Sequence, residues 1–154
     1  MTLLNSNIIE LCLYKSENGK PLFLLLHRTK DEEVYPDIWQ FITGSIESGE
    51  KAVDAALREL QEETGLKPDA FWVVPYVMSF YNADWDSINL SPFFAAEVNN
   101  GDSILLSDEH DQFGWFSFEE ASRKLLWPSW KEGIRIVNDF IVTGGSSSSM
   151  ERIF

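Results

Sequence analysis

Histidine and cysteine are nearly missing from this chain, with two and one among 154 residues. A single cysteine forms no internal disulfide, and Cys12 lies in an apolar run, so it reads as a small core residue of a reducing compartment. Basic side chains are also scarce: 12 Lys and Arg face 25 Asp and Glu, a formal net charge of −13. A chain without a basic footprint is not expected to bind nucleic acid or an anionic membrane. No apolar run approaches the length needed to span a bilayer. The opening MTLLNSNIIE has neither a basic n-region nor a long apolar stretch, so no signal peptide is expected and a cytoplasmic location is the expectation. Internal repeats are absent too, and low complexity is confined to GGSSSS at 144–149.

What the chain does have is enough length for one domain with a real core. Residues 7–14 (NIIELCLY) are apolar and β-prone on both faces, as an inner strand requires, and 21–27 (PLFLLLH) can return beside them after a turn at 16–19. A charged loop at 28–37 precedes a short strand at 38–43. Two further strands are predicted at 71–82 and 88–98, with bulges or edge positions at Pro75 and Pro92. A turn is expected at 99–102, then a short apolar piece at 104–106 and a last strand at 112–116. Ser117 and Glu120 fit a capping box opening a helix to about 125, and Pro128 starts a second helix reaching about 142. The expected division is a domain at 1–143 and a flexible Gly/Ser-rich tail at 144–154. Strands interleaved with helices give a mixed α/β domain.

Residues 44–66, GSIESGEKAVDAALRELQEETGL, carry the chemistry. The stretch 50–64 has no internal Pro or Gly and is rich in Ala, Leu, Glu and Gln, which predicts a helix stopped at Gly65. At about 100° per residue, Glu59, Glu62 and Glu63 share one arc of roughly 100°. Val53, Leu57, Leu60 and Thr64 take a separate face, expected to be the buried one, and alanines 52, 55 and 56 flank the carboxylates. Clustered anions repel one another, so a cation is expected to offset them. An oxygen-only set without His or Cys suits Mg2+ or Mn2+ better than zinc.

This spacing resembles the Nudix box, G-x5-E-x7-R-E-U-x-E-E-x-G-U with U aliphatic, and every fixed position is filled. At roughly 5–7% usage per residue type, seven fixed identities in one window arise by chance less than about once in a million chains of this size. The resemblance implies a Nudix fold, a mixed sheet sandwiched between helices (α/β/α). It also implies hydrolysis of a diphosphate bond by water attack at phosphorus with Mg2+ or Mn2+. Such a substrate is a small polyphosphate whose charge, like the chain's own, an ion must offset.

By resemblance, Glu59, Glu62 and Glu63 are the metal ligands, joined by the Gly44 carbonyl. Arg58, expected on a different side of the helix, pairs with Glu50 and holds the preceding loop. The general base is either Glu63 or a later carboxylate, for which Glu109 is the candidate. His110 is expected to be a hydrogen-bonding loop residue. Arg28 could bind phosphate as a bidentate cation, against a plain surface charge. Among Trp39, Phe80, Tyr81, Trp85, Trp127 and Trp130, one or two are expected to stack on the ring, with Trp39-Gln40 best placed.

Outside the box, His27-Arg28, residues 36–40 (PDIWQ), 43–47 (TGSIE), 107–115 (SDEHDQFGW) and the 127–130 patch resemble the bacterial dihydroneopterin triphosphate pyrophosphatases, also described as dATP pyrophosphohydrolases. Thr43 stands where many Nudix enzymes have Gly, which favours that group. The implied reaction releases pyrophosphate from a triphosphate and leaves a monophosphate. The alternative is dinucleoside polyphosphate hydrolysis, since Tyr81 lies about where that group has a base-stacking tyrosine. A non-catalytic ligand-sensing module is a third reading, disfavoured by the intact carboxylates. The resemblance also allows a homodimer, with no interface located in the sequence.

Overall fold

The computed structural model describes all residues but Asn100, and the side chains of all described residues but 146 and 147. Asn100, within the turn expected at 99–102, lies outside the described residues. Among the described residues, eight strands form one mixed sheet with order β1-β7-β2-β3-β4; β5 also pairs with β2, β6 with β7 and β8 with β3. The strands are β1 (Leu3–Asn5), β2 (Ile8–Glu17), β3 (Lys20–Arg28), β4 (Trp39–Gln40), β5 (Ile42–Ser45), β6 (Ala70–Asn82), β7 (Ser87–Glu97) and β8 (His110–Phe116). Helix α1 spans Ala52–Thr64, α2 Phe118–Lys124 and α3 Pro128–Ile136. Among the described residues, no helix is long and apolar enough to cross a membrane.

The central strand is β2, parallel to β7 and antiparallel to β3 and β5. Its residues alternate between two cores. Ile9, Leu11 and Leu13 pack with Ala55, Ala56 and Leu60 of α1. Cys12 and Tyr14 pack on the opposite face with Ala121 of α2 and Trp130 and Ile134 of α3. The β2–β3 hairpin closes through Asn18 and Gly19, both at positive φ (52° and 76°), the conformation a two-residue hairpin turn needs. The ladder between β6 and β7 shifts register between Val73 and Val77, around Pro75, which has no N–H to give it. At Ser117 the capping box forms: Glu120 N donates to Ser117 Oγ, and Ser117 N to Glu120 Oε2.

Details differ from the sequence reading. The strand expected at 38–43 is two strands: Trp39–Gln40 pair with β3, and after Phe41 the chain pairs with β2. The apolar piece at 104–106 stays outside the sheet as expected of it, and Leu105 N donates to the Thr64 carbonyl at the end of α1. Helix α3 passes into a π-helical segment, Val137–Val142. The tail is not a loose string. It forms a 3-10 segment, Gly145–Glu151, and then lies on β6, where Ile153 N donates to Phe71 O at 2.7 Å and Phe154 stacks on the Phe71 ring at 5.8 Å. Phe154 stays half exposed, and its stacking on the buried Phe71 ring helps offset the cost of ordering a Ser-rich segment.

Candidate active site

Helix α1 meets the sheet through its small residues. Ala55 and Ala56 are fully buried, as is Leu60, whereas Val53 and Leu57 are only partly covered. The packed face is therefore rotated from the expected Val53–Leu57–Leu60–Thr64 stripe toward the carboxylates, because alanines let the helix axis approach β5 closely. Glu63 is carried inward by this rotation and is 3% exposed. Its Oε2 is buried and has no hydrogen-bond partner among the described residues. Burial, and then the charges of Glu59 and Glu109, push its carboxyl up to about 9. Glu59 is raised as well, burial being the main cause, with Glu62 and Glu109 adding repulsion. Glu109, in the turn before β8, is thus electrostatically part of one acidic cluster with Glu59, Glu62 and Glu63, although its own side chain is exposed.

Strand β5 brings Gly44 against this cluster. A Cβ at Gly44 would lie 2.1 Å from Glu59 Cδ, so only glycine leaves Glu59 its place. Arg58 does not keep to a different side, because its long stem reaches across the seam. It donates from Nε to Glu50 Oε1 (2.9 Å), from Nη2 to Glu50 Oε2 (2.9 Å) and to the Ser45 carbonyl (2.8 Å). Nη1 donates to Glu59 (2.8 Å) and Glu62 (3.3 Å). The Arg58 hydrogen bonds, helped by that from Glu47 N, hold the Glu50 carboxyl down to about 2. Among the described residues, no three acidic or imidazole side chains converge on one point, and Arg58 draws Glu59 and Glu62 to itself.

The donor set nevertheless fits a hard divalent cation. It is all oxygen, contains a buried carboxylate oxygen with no partner among the described residues, and has Glu59 seated where Gly44 lacks a side chain. Glu59, Glu62 and Glu63, with the Gly44 carbonyl, are the residues that would hold it. When bound, such an ion neutralises phosphate oxygens and lowers the pKa of water.

On the opposite face of the sheet, α3 and the loop after β3 enclose a cavity of about 410 Å3. Phe80, Tyr81, Trp127 and Trp130, four of the six candidate aromatics, line it together with Tyr35. Trp127 and Tyr35 meet edge to face at 5.4 Å. Trp39 does not line it. Its ring packs on Phe116 (5.4 Å) and His27 (5.1 Å), under the Lys124 ammonium. Trp85 is 73% exposed at the β6–β7 turn. Gln40 lines the cavity and is buried, donating from Nε2 to His110 Nε2 at 2.9 Å. Burial pushes His110 down to about 4, which keeps its ring neutral and able to accept that bond. Tyr81 is 58% exposed at the rim, its hydroxyl donating to Asp86.

Arg28 belongs to both regions. It lines the cavity, and its charge acts on Glu63. Its Nε donates to the Val34 carbonyl (3.1 Å) and Nη2 to Glu32 (3.1 Å). The neighbouring His27 faces Asp37 with one ring nitrogen and Asp111 with the other, tying the 29–37 loop and β8 to the end of β3. The reading of the sequence missed Glu10, a buried acid of β2 that lines the cavity; the signal was there, as the one charge inside NIIELCLY.

A box-bearing helix against a glycine strand, with a mixed sheet between helix layers, is the frame of one protein class. The NUDIX domain family matches residues 10–140, so the chain belongs to the Nudix family and carries a hydrolase domain of the diphosphate-bond class. Among its relatives is a Caenorhabditis elegans bis(5'-nucleosyl)-tetraphosphatase [asymmetrical], 29% identical over 113 residues, 72% of this chain and 78% of that protein. Escherichia coli dihydroneopterin triphosphate diphosphatase is 52% identical over 40 residues, 26% of this chain and 24% of that protein. A Myxococcus xanthus octanoyltransferase is 29% identical over 134 residues, 82% of this chain; the chain spans only 35% of that protein's length. In structure, a NUDIX hydrolase from Listeria monocytogenes superimposes with a TM-score of 0.75 at 25% identity, covering 90% of this chain and 95% of that one.

Proposed function

We propose that this protein is a Mg2+- or Mn2+-dependent pyrophosphohydrolase that takes a deoxynucleoside or dihydroneopterin triphosphate to the monophosphate and pyrophosphate. The observation that carries the reading is the position of Arg28, which borders the aromatic cavity and also acts on the buried carboxylate Glu63. A ring in the cavity would then send its phosphate chain past a guanidinium toward the acidic cluster. Glu59, Glu62 and Glu63 hold the ion, Glu50 and Arg58 brace the loop that presents Gly44, and Glu63 or Glu109 removes the water proton. Gln40 borders the ring, while Trp39 supports it only through packing. The 52% identity over 40 residues to the dihydroneopterin triphosphate diphosphatase supports the substrate class.

Dinucleoside polyphosphate hydrolysis is the second reading. It is favoured by the exposed Tyr81 at the cavity rim, free to cover a second base, and by the length over which the tetraphosphatase relative matches. A panel of triphosphates, dinucleoside polyphosphates and nucleotide sugars, with Mg2+ or Mn2+ and product chromatography, tests both. Pyrophosphate and a monophosphate from a triphosphate are expected. Turnover of dinucleoside polyphosphates alone would replace the first reading with the second, and turnover of no diphosphate at all would favour a ligand-sensing module.

A further inference from the structure

Glu10 is an acid in a place built for apolar side chains. It is 2% exposed on β2, between neighbours Ile9 and Leu11 that are fully buried, and it lines the aromatic cavity. Among the described residues its hydrogen-bond partner is Trp130, whose indole Nε1 donates to Oε2 at 3.2 Å. The one basic residue lining the cavity, Arg28, is engaged by Val34 and Glu32. A carboxylate buried among aromatic rings without a cation takes up a proton rather than stay charged. Burial does push Glu10 up to about 8.

A neutral carboxyl offers one O–H donor and one carbonyl acceptor, side by side. Trp130 gives that pair a direction. The carbonyl oxygen is the better acceptor of the two, so an indole N–H on Oε2 favours the hydroxyl on Oε1. A planar ring lying against Trp127 would meet a donor and an acceptor in fixed order at the cavity wall. The complementary edge is a ring nitrogen beside an exocyclic amine, N=C–NH2. Adenine, cytosine and pterins carry it; hypoxanthine and uracil carry the reverse order.

We propose that Glu10 is the specificity-determining residue of this cavity, and that as an uncharged acid fixed by Trp130 it reads the N=C–NH2 edge of an amino-substituted heterocycle. The inference rests on the reading above in which the ring of the substrate enters the cavity. It adds which rings are accepted. A lactam ring brings N–H toward O–H and C=O toward C=O, leaving buried polar groups unpaired.

The test is the ratio of kcat/KM for dATP over dITP, alongside Kd values for deoxyadenosine and deoxyinosine measured without metal by tryptophan fluorescence. Wild type should favour the adenine compounds by about tenfold or more, the range of a two-bond edge contact. Glu10→Gln, whose amide presents the same donor and acceptor, should keep the preference within about threefold. Glu10→Met should bring the ratio close to one. Equal affinity of the wild type for the two nucleosides overturns the inference without any variant. So does a preference for guanine over adenine that Glu10→Gln abolishes, which would mean a charged carboxylate accepting two N–H groups. The nucleoside binding needs no hydrolysis. An adenine preference there upholds the inference even where no triphosphate turns over and the proposed reaction fails.

Discussion

The two faces of the sheet each bury one glutamate, and the two acids solve that problem in opposite ways. Glu63, on the α1 face, is pushed up to about 9 by burial with like charges around it, Glu59, Glu109 and Glu62. Glu10, on the α3 face, is pushed up to about 8 by burial alone, and the Trp130 bond works against the shift. A cluster of acids is relieved by a cation. A solitary acid among aromatic rings is relieved by a proton. The first arrangement suits gripping phosphate through an ion, the second suits reading a neutral ring.

If the division of labour is real, substitutions on the α1 face should damage turnover and spare ring affinity. The largest effect is expected for Glu63→Gln or Glu62→Gln, which should lower kcat by about a hundredfold or more while circular dichroism stays native. Chelation of the divalent ion should abolish turnover in the same assay, and deoxyadenosine affinity should be unaffected by either. Gly44→Ala comes next. Its methyl group must displace Glu59, and kcat should fall about 10- to 100-fold with little change in nucleoside Kd. Trp127→Ala, on the other face, should do the reverse. It should raise KM about tenfold and leave kcat near its wild-type value, because a lost stacking contact weakens ground and transition states alike. A fall in kcat as large as that of Gly44→Ala would break the comparison.

The smallest effect concerns pH. Glu10 rises from 4.5 to about 8 on folding, so the stability its neutral form contributes is fully present below pH 4.5 and is lost as pH rises through 8. The groups that face it are Trp130 and, from β6, Tyr76, whose hydroxyl is pushed up by burial first and then by the charges of Glu132 and Glu10. Glu10→Gln cannot ionise. The two proteins should melt alike near pH 4.5, and the variant should gain on the wild type up to about pH 8, by a few kcal/mol at most. A Tm difference that is flat across that window would mean Glu10 carries no raised pKa.

The same contrast explains what could be read from the sequence. The box residues are legible because their chemistry depends on spacing along one helix and one turn, and Gly44, Glu50, Arg58, Glu59, Glu62 and Glu63 are all local. The cavity draws on residues from 8 to 130. No local pattern ties Ile8 and Glu10 to Trp130, since only the packing of α3 on that face of the sheet brings them together. Trp39 shows the same limit of local reading. Nearness to the box in sequence put it on the ring, whereas its pairing with His27 of β3 turns it toward Phe116 and α2. The rotation of α1 was hidden because a helical wheel scores bulk. Here the closest approach belongs to the alanines, not to Val53 and Leu57.

The hand-over at Phe41 has a consequence for how the two regions are coupled. Gln40 and Thr43 border the ring cavity and Gly44 borders the acids, so the segment that leaves β3 for β2 lines the cavity up to the residue beside the acidic cluster. Neighbouring residues of one strand serve both sides of the sheet, and any slip of β5 along β2 would shift the cavity wall and the seat of Glu59 in a single movement.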